Sequence, residues 1–166
     1  KLLIESGGSV NQANSYGATP LSIASQQGHL EIVKLLIESG GSVNEADSTS
    51  TTPLWIASQD GHLEIVKLLI ESGGLVNQAD STSTTPLYMA SQNGHLDVVK
   101  LLIESGGSVN GADSTSTTPL YIASQKGHLE IVRLLIESGG SVNGANSTST
   151  TPLYIASQNG HLEIVK

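Results

Sequence analysis

Apolar and polar positions along the 166-residue chain recur with one period of 33 residues. Thr-Pro-Leu begins at Thr19, Thr52, Thr85, Thr118 and Thr151, and Gly-His begins at Gly28, Gly61, Gly94, Gly127 and Gly160. Lys1, Lys34, Lys67, Lys100, Arg133 and Lys166 share one phase, so the chain is five periods plus one residue. Self-similarity at such a period is the mark of an array of stacked supersecondary units.

One period, Asp47 to Ala79, predicts the unit. Asp47-Ser48-Thr49-Ser50-Thr51 is a polar, β-compatible turn. Thr52 before Pro53 predicts a helix start, because the Thr hydroxyl caps a free backbone N–H and Pro at the first helical position has no N–H to leave unpaired. Leu54, Ile56 and Ala57 give this first helix, expected near Pro53–Gln59, its apolar side, and Gly61 ends it. A second helix is expected over Leu63–Ser72. Its polar residues Glu64, Lys67 and Glu71 form one narrow stripe, while Leu63, Ile65, Val66, Leu68, Leu69 and Ile70 fill the remaining arc. A surface helix normally shows the reverse proportions, so this one must be covered on several sides. Gly73-Gly74 terminates it. Two short helices cannot bury such an arc alone. Stacked copies can, which predicts an all-α solenoid with local contacts only.

These residues resemble the ankyrin repeat. Thr52-Pro53-Leu54-Trp55-Ile56-Ala57 and Gly61-His62-Leu63-Glu64-Ile65-Val66-Lys67-Leu68-Leu69 match its pattern, and the match recurs in five registers over the whole chain, residues 1–166. The resemblance implies helix–turn–helix units joined by β-hairpin fingers at right angles to them. It also implies a concave face of fingers and first helices, and a role in protein–protein binding. Three positions depart from the family pattern. Its His after Thr-Pro-Leu is replaced by Ser22, Trp55, Tyr88, Tyr121 and Tyr154. Its Gly in the finger turn survives as Gly17, and Ser50, Ser83, Ser116 and Ser149 stand elsewhere. Gly41, Gly74, Gly107 and Gly140 stand where Ala is usual.

Composition narrows the function classes. Hydrophobic residues at 37%, with 18 Gly besides, make an ordinary globular composition and exclude disorder for want of apolar side chains. Aromatics are 3% and Phe is absent, so the core must be aliphatic. A net charge of -8 with no basic cluster argues against nucleic acid, whose phosphates demand Lys and Arg. Zero Cys excludes disulfides, thiolate metal sites and a thiol nucleophile. No apolar run approaches the length of a membrane span. No secretory signal is visible, and a cytoplasmic protein is expected.

Candidate chemistry is sparse. There is no phosphate-binding Gly-rich loop and no nucleophile elbow. His-x-Glu recurs from His29/Glu31 onward, but the zinc site it would belong to needs cysteines. The five His fall one per period, so they are expected to bond loop carbonyls at separate turns and not to converge on a metal. An active site needs different groups meeting at one point, whereas repetition makes rows. No enzyme, no cofactor and no metal is therefore expected. The Ser/Thr fingers read as solvated turns in preference to phosphorylation sites, and Asn146-Ser147-Thr148 as an accidental sequon. The Glu–Lys–Glu stripes of the second helices read as solubility with small i,i+3 and i,i+4 gains.

Three positions vary between periods. The residue before the helix-breaking Gly is Gln27, Asp60, Asn93, Lys126 and Asn159. The residue before the Ala at the finger base is Gln12, Glu45, Gln78, Gly111 and Gly144. The third is the aromatic row Trp55, Tyr88, Tyr121 and Tyr154, whose rings are expected to stay partly exposed on the finger side, since Tyr and Trp are frequent interface anchors; the alternative is that each ring covers its neighbouring repeat and its polar tip replaces the family's His. The leading function is a non-catalytic scaffold that binds a protein partner along the concave groove through Trp55, Tyr88, Tyr121, Tyr154, Asp60, Asn93, Lys126 and Asn159. The alternative is a structural or spring-like segment of a longer array. Both ends fall mid-repeat without a polar capping unit, so an internal segment or end-to-end self-stacking is expected.

Overall fold

The computed structural model describes residues 1–166 as eleven α-helices and no β-strand. In chain order they are α1 (Leu2–Glu5), α2 (Pro20–Gln26), α3 (Leu30–Glu38), α4 (Pro53–Asp60), α5 (Leu63–Glu71), α6 (Pro86–Asn93), α7 (Leu96–Glu104), α8 (Pro119–Lys126), α9 (Leu129–Glu137), α10 (Pro152–Gln158) and α11 (Leu162–Val165). Even-numbered helices are the first helices of the period and odd-numbered ones the second.

Each first helix begins as the Thr-Pro pair dictates. Thr52 Oγ1 accepts from the Trp55 N–H at 3.2 Å, with Pro53 at the first helical position. Thr19, Thr85, Thr118 and Thr151 cap their helices in the same way. Gly61, Gly94 and Gly127 end α4, α6 and α8 in the left-handed region, at φ 77°, 83° and 82°. A side chain there would be doubly obstructed, because a Cβ on Gly61 would stand 2.5 Å from the His95 ring of the next period.

The core is a continuous aliphatic ribbon running through all the joints. Leu54, Ala57, Val66 and Leu69 are followed by Leu87, Ala90, Val99 and Leu102, and then by Leu120, Ala123, Val132 and Leu135. The second helices keep their Glu and Lys stripe in solvent: Glu64, Lys67 and Glu71 are all exposed. Neighbouring first helices pack far more closely than neighbouring second helices. The stack is therefore shorter along its first-helix side, and that side is concave.

The fingers correct one expectation. They are tight turns, not β-hairpins with strands. The Asp47 N–H donates to the Thr51 carbonyl and the Ser50 N–H to the Asp47 carbonyl, both at 3.0 Å. Asp47 Oδ1 accepts from the backbone N–H groups of Thr49 and Thr51 and from the Thr49 hydroxyl. The carboxylate occupies donors that a partner strand would otherwise take, as an Asx turn does. Partial burial pushes the Asp47 carboxyl up, but these bonds outweigh it and hold the group below the usual carboxylate range. Ser50, Ser83, Ser116 and Ser149 sit at φ 60° to 66°, where the first finger has Gly17 at 81°. The left-handed turn survives the loss of glycine at some cost in strain.

Candidate binding groove

Inter-repeat bonds fix what the groove presents. His62, His95, His128 and His161 each place Nε2 at 2.9–3.1 Å from the carbonyl of Gln26, Gln59, Gln92 or Gln125 in the preceding period. No group of three or more His, Asp or Glu is close enough to share a metal ion.

A second ladder was not visible as such in the sequence. Asn44 donates from Nδ2 to the Gly73 carbonyl at 3.0 Å and accepts from the Leu75 N–H at 2.9 Å through Oδ1. Asn11, Asn77 and Asn110 clamp their following periods identically. The only signal was an invariant Asn after Val in every period, whose amide carries a donor and an acceptor on one planar group and so can satisfy a carbonyl and an N–H together. A third link joins the fingers: the Ser81 N–H donates to the Thr49 carbonyl, and Ser48, Ser114 and Ser147 repeat the bond.

The aromatic row corrects the expected exposure. Trp55, Tyr88 and Tyr121 are buried, at 8%, 6% and 7% exposure, while Tyr154 is 61% exposed. Each interior ring lies under the finger of the following period. The Trp55 indole N–H donates to the Thr84 carbonyl at 2.9 Å. The Tyr88 hydroxyl donates to Asp113 Oδ2 at 3.3 Å, and the Tyr121 hydroxyl accepts from Asn146 Nδ2 at 3.4 Å. Burial, reinforced by the Asp113 charge, raises the Tyr88 phenol far above its ordinary value. These three rings are struts between periods.

The other two variable rows remain in solvent. Gln27, Asp60, Asn93, Lys126 and Asn159 are all exposed, and so are Gln12, Glu45 and Gln78. Asn93 and Asn159 each donate back to the preceding period, to the Gln59 and Gln125 carbonyls at 3.0 and 2.9 Å. Asp60 and Lys126 form no ion pair; the three present all lie within second-helix stripes or at the chain's first residues. The structure thus places Asp60, Asn93, Lys126 and Asn159 in one exposed row at the C-terminal ends of the first helices, and Trp55, Tyr88 and Tyr121 inside the joints.

No helix is long and apolar enough to cross a membrane. A family model described as ankyrin repeats (3 copies) matches residues 1–47, 41–113 and 107–166, which together cover the chain. No curated protein matches it.

Proposed function

The chain belongs to the ankyrin repeat family, and from that premise we propose that it is a non-catalytic scaffold whose protein partner lies along the concave groove. Ankyrin repeats are generally protein–protein interaction modules. One observation carries the groove assignment. The row Gln27, Asp60, Asn93, Lys126 and Asn159 is exposed in every period, yet its residue type changes where the surrounding positions repeat. An outer face of recurring Glu and Lys offers every partner the same stripe, whereas a varied row offers a sequence of contacts. The interior aromatics serve this surface indirectly, by fixing the spacing of the units that display it.

A photoreactive residue placed at Asn93 is expected to cross-link a discrete partner that excess unmodified protein competes away. The same residue placed at Glu104, on the outer stripe, is expected to give none. Equal cross-linking from both positions overturns the groove assignment.

Identity of the Ser-Thr-Ser-Thr-Thr fingers beginning at Ser48, Ser81, Ser114 and Ser147 supports a second reading, a spring-like element of a longer array. Single-molecule extension separates the two: reversible stretching without any groove partner favours the spring. End-to-end stacking of copies belongs to the same reading, and light scattering across a concentration series tests it.

A further inference from the structure

We propose that the groove reads an extended peptide segment carrying one basic and one acidic side chain about six residues apart; this rests on the groove being the partner site. The argument begins with charge. Along the exposed row the side chains run neutral at Gln27, negative at Asp60, neutral at Asn93, positive at Lys126 and neutral at Asn159. Asp60 accepts only a long hydrogen bond from the neighbouring Gln59 amide, at 3.4 Å, and neither charge has an ionic partner. On the outer face, by contrast, Lys34 closes on Glu31 at 2.7 Å. The finger carboxylates of Asp47, Asp80 and Asp113 are already engaged by Thr49, Thr82 and Thr115.

Distance sets the spacing. Packed helices lie about 8–10 Å apart, so two periods separate Asp60 from Lys126 by roughly 20 Å. That is about two Debye lengths at 0.1 M salt, so a ligand meets the two charges one at a time and not as a cancelled pair. A fully extended chain covers about 3.3 Å per residue and crosses the gap in about six residues.

The chemistry between the charges selects an extended backbone. Gln26, Gln59, Gln92 and Gln125 stand one per period beside the variable row, and their main-chain carbonyls are used up by the histidine ladder. Of their side-chain amides only that of Gln59 is turned to a protein partner. An amide presents a donor and an acceptor together, the complement of a peptide group. A docked helix would instead need a strip of apolar anchors along the groove, and this row offers none.

The test is an NMR titration of isotope-labelled protein with synthetic peptides of Ser, Ala and Gln bearing one Arg and one Glu, set about two, about six or about ten residues apart. A peptide without charges is the reference. Perturbation of the Asp60, Asn93 and Lys126 amides is expected, with the six-residue spacing binding best. Its gain over the neutral peptide is expected to be about fivefold and to vanish in high salt. Asp60→Asn should remove the dependence on Arg, and Lys126→Gln the dependence on Glu. Asp60→Lys should shift the preference to a peptide with two Glu at the same spacing. These substitutions touch no inter-repeat bond, so folding is retained. Groove shifts of equal size for every peptide would overturn the charge pattern and leave the groove intact as a binding site. No groove shift from any peptide would overturn the extended-peptide ligand, while cross-linking from Asn93 would still report separately on whether the groove binds a protein.

Discussion

Tyr88 and Tyr154 occupy the same place in the period, each follows a Thr-Pro-Leu, and each donates its N–H to its own capping Thr, Thr85 or Thr151. One is 6% exposed and the other 61%. The difference lies wholly outside the repeat that contains the residue. Tyr88 has a finger above it, with Asp113 receiving its hydroxyl, and Tyr154 has none. Burial in this molecule is a property of the joint between units. The same holds for Leu120, buried in the interior, and Leu153, its exposed equivalent.

The sharpest way to break this comparison is to truncate both rings. Tyr88→Ala removes a buried strut and is expected to lower stability by about 3–5 kcal/mol in urea unfolding, as large aromatic deletions do. Tyr154→Ala in the same chain should stay within about 0.5 kcal/mol. Equal losses would mean that the ring acts within its own repeat.

Next comes the asparagine ladder. Asn77→Ala leaves the Gly106 carbonyl and the Ser108 N–H without their shared partner. A loss of about 1–3 kcal/mol is expected from the same unfolding assay. Asn143, the equivalent position in the last period, should tolerate Ala with almost no change. These two predictions together show why part of the architecture was readable in advance and part was not. Thr52, Pro53 and Gly61 act on their own backbone, so α4 was expected at Pro53–Gln59 and is observed to Asp60. Likewise Leu63–Ser72 became Leu63–Glu71. Asn77 and Tyr88 act across 25 to 31 residues on the next unit, and no pattern within one period announces that. The row at Asp60 and Lys126 was legible because exposure at a helix end needs no neighbour. The strands of the fingers were an expectation carried by the family resemblance, whereas Asp47–Thr51 itself reads as a polar turn, which the Asp47 carboxylate closes.

A smaller effect is expected in the fingers. Ser83→Gly relieves a left-handed backbone at φ 66° and should raise stability by about 0.5–1 kcal/mol, after the flexibility that Gly adds to the unfolded chain. Gly17→Ser should cost a similar amount in the first finger, since a single rule governs all five turns.

The smallest effect separates the fingers by pH. The folded-state pKa of Asp47 is depressed, so its stabilising contribution is fully present above the ordinary carboxylate pKa and is lost as pH falls through the lower folded value. Urea midpoints should therefore decline below about pH 4. Asp47→Asn should flatten that decline while keeping the turn, as Asn146 already does in the last finger, where it accepts from the Thr148 and Thr150 N–H groups.

Every ladder bond spans a constant interval: 29 and 31 residues for the asparagines, 36 for the histidines. Gain or loss of one whole period therefore leaves the asparagine and histidine bonds of each remaining joint unaltered. Length becomes a dial that can be turned without redesigning the interior. What such an edit does change is the gauge on the groove. Removing the period between Asp60 and Lys126 would bring the two charges from roughly 20 Å to roughly 10 Å apart, close enough to feel each other, and would cut a different key from the same blank.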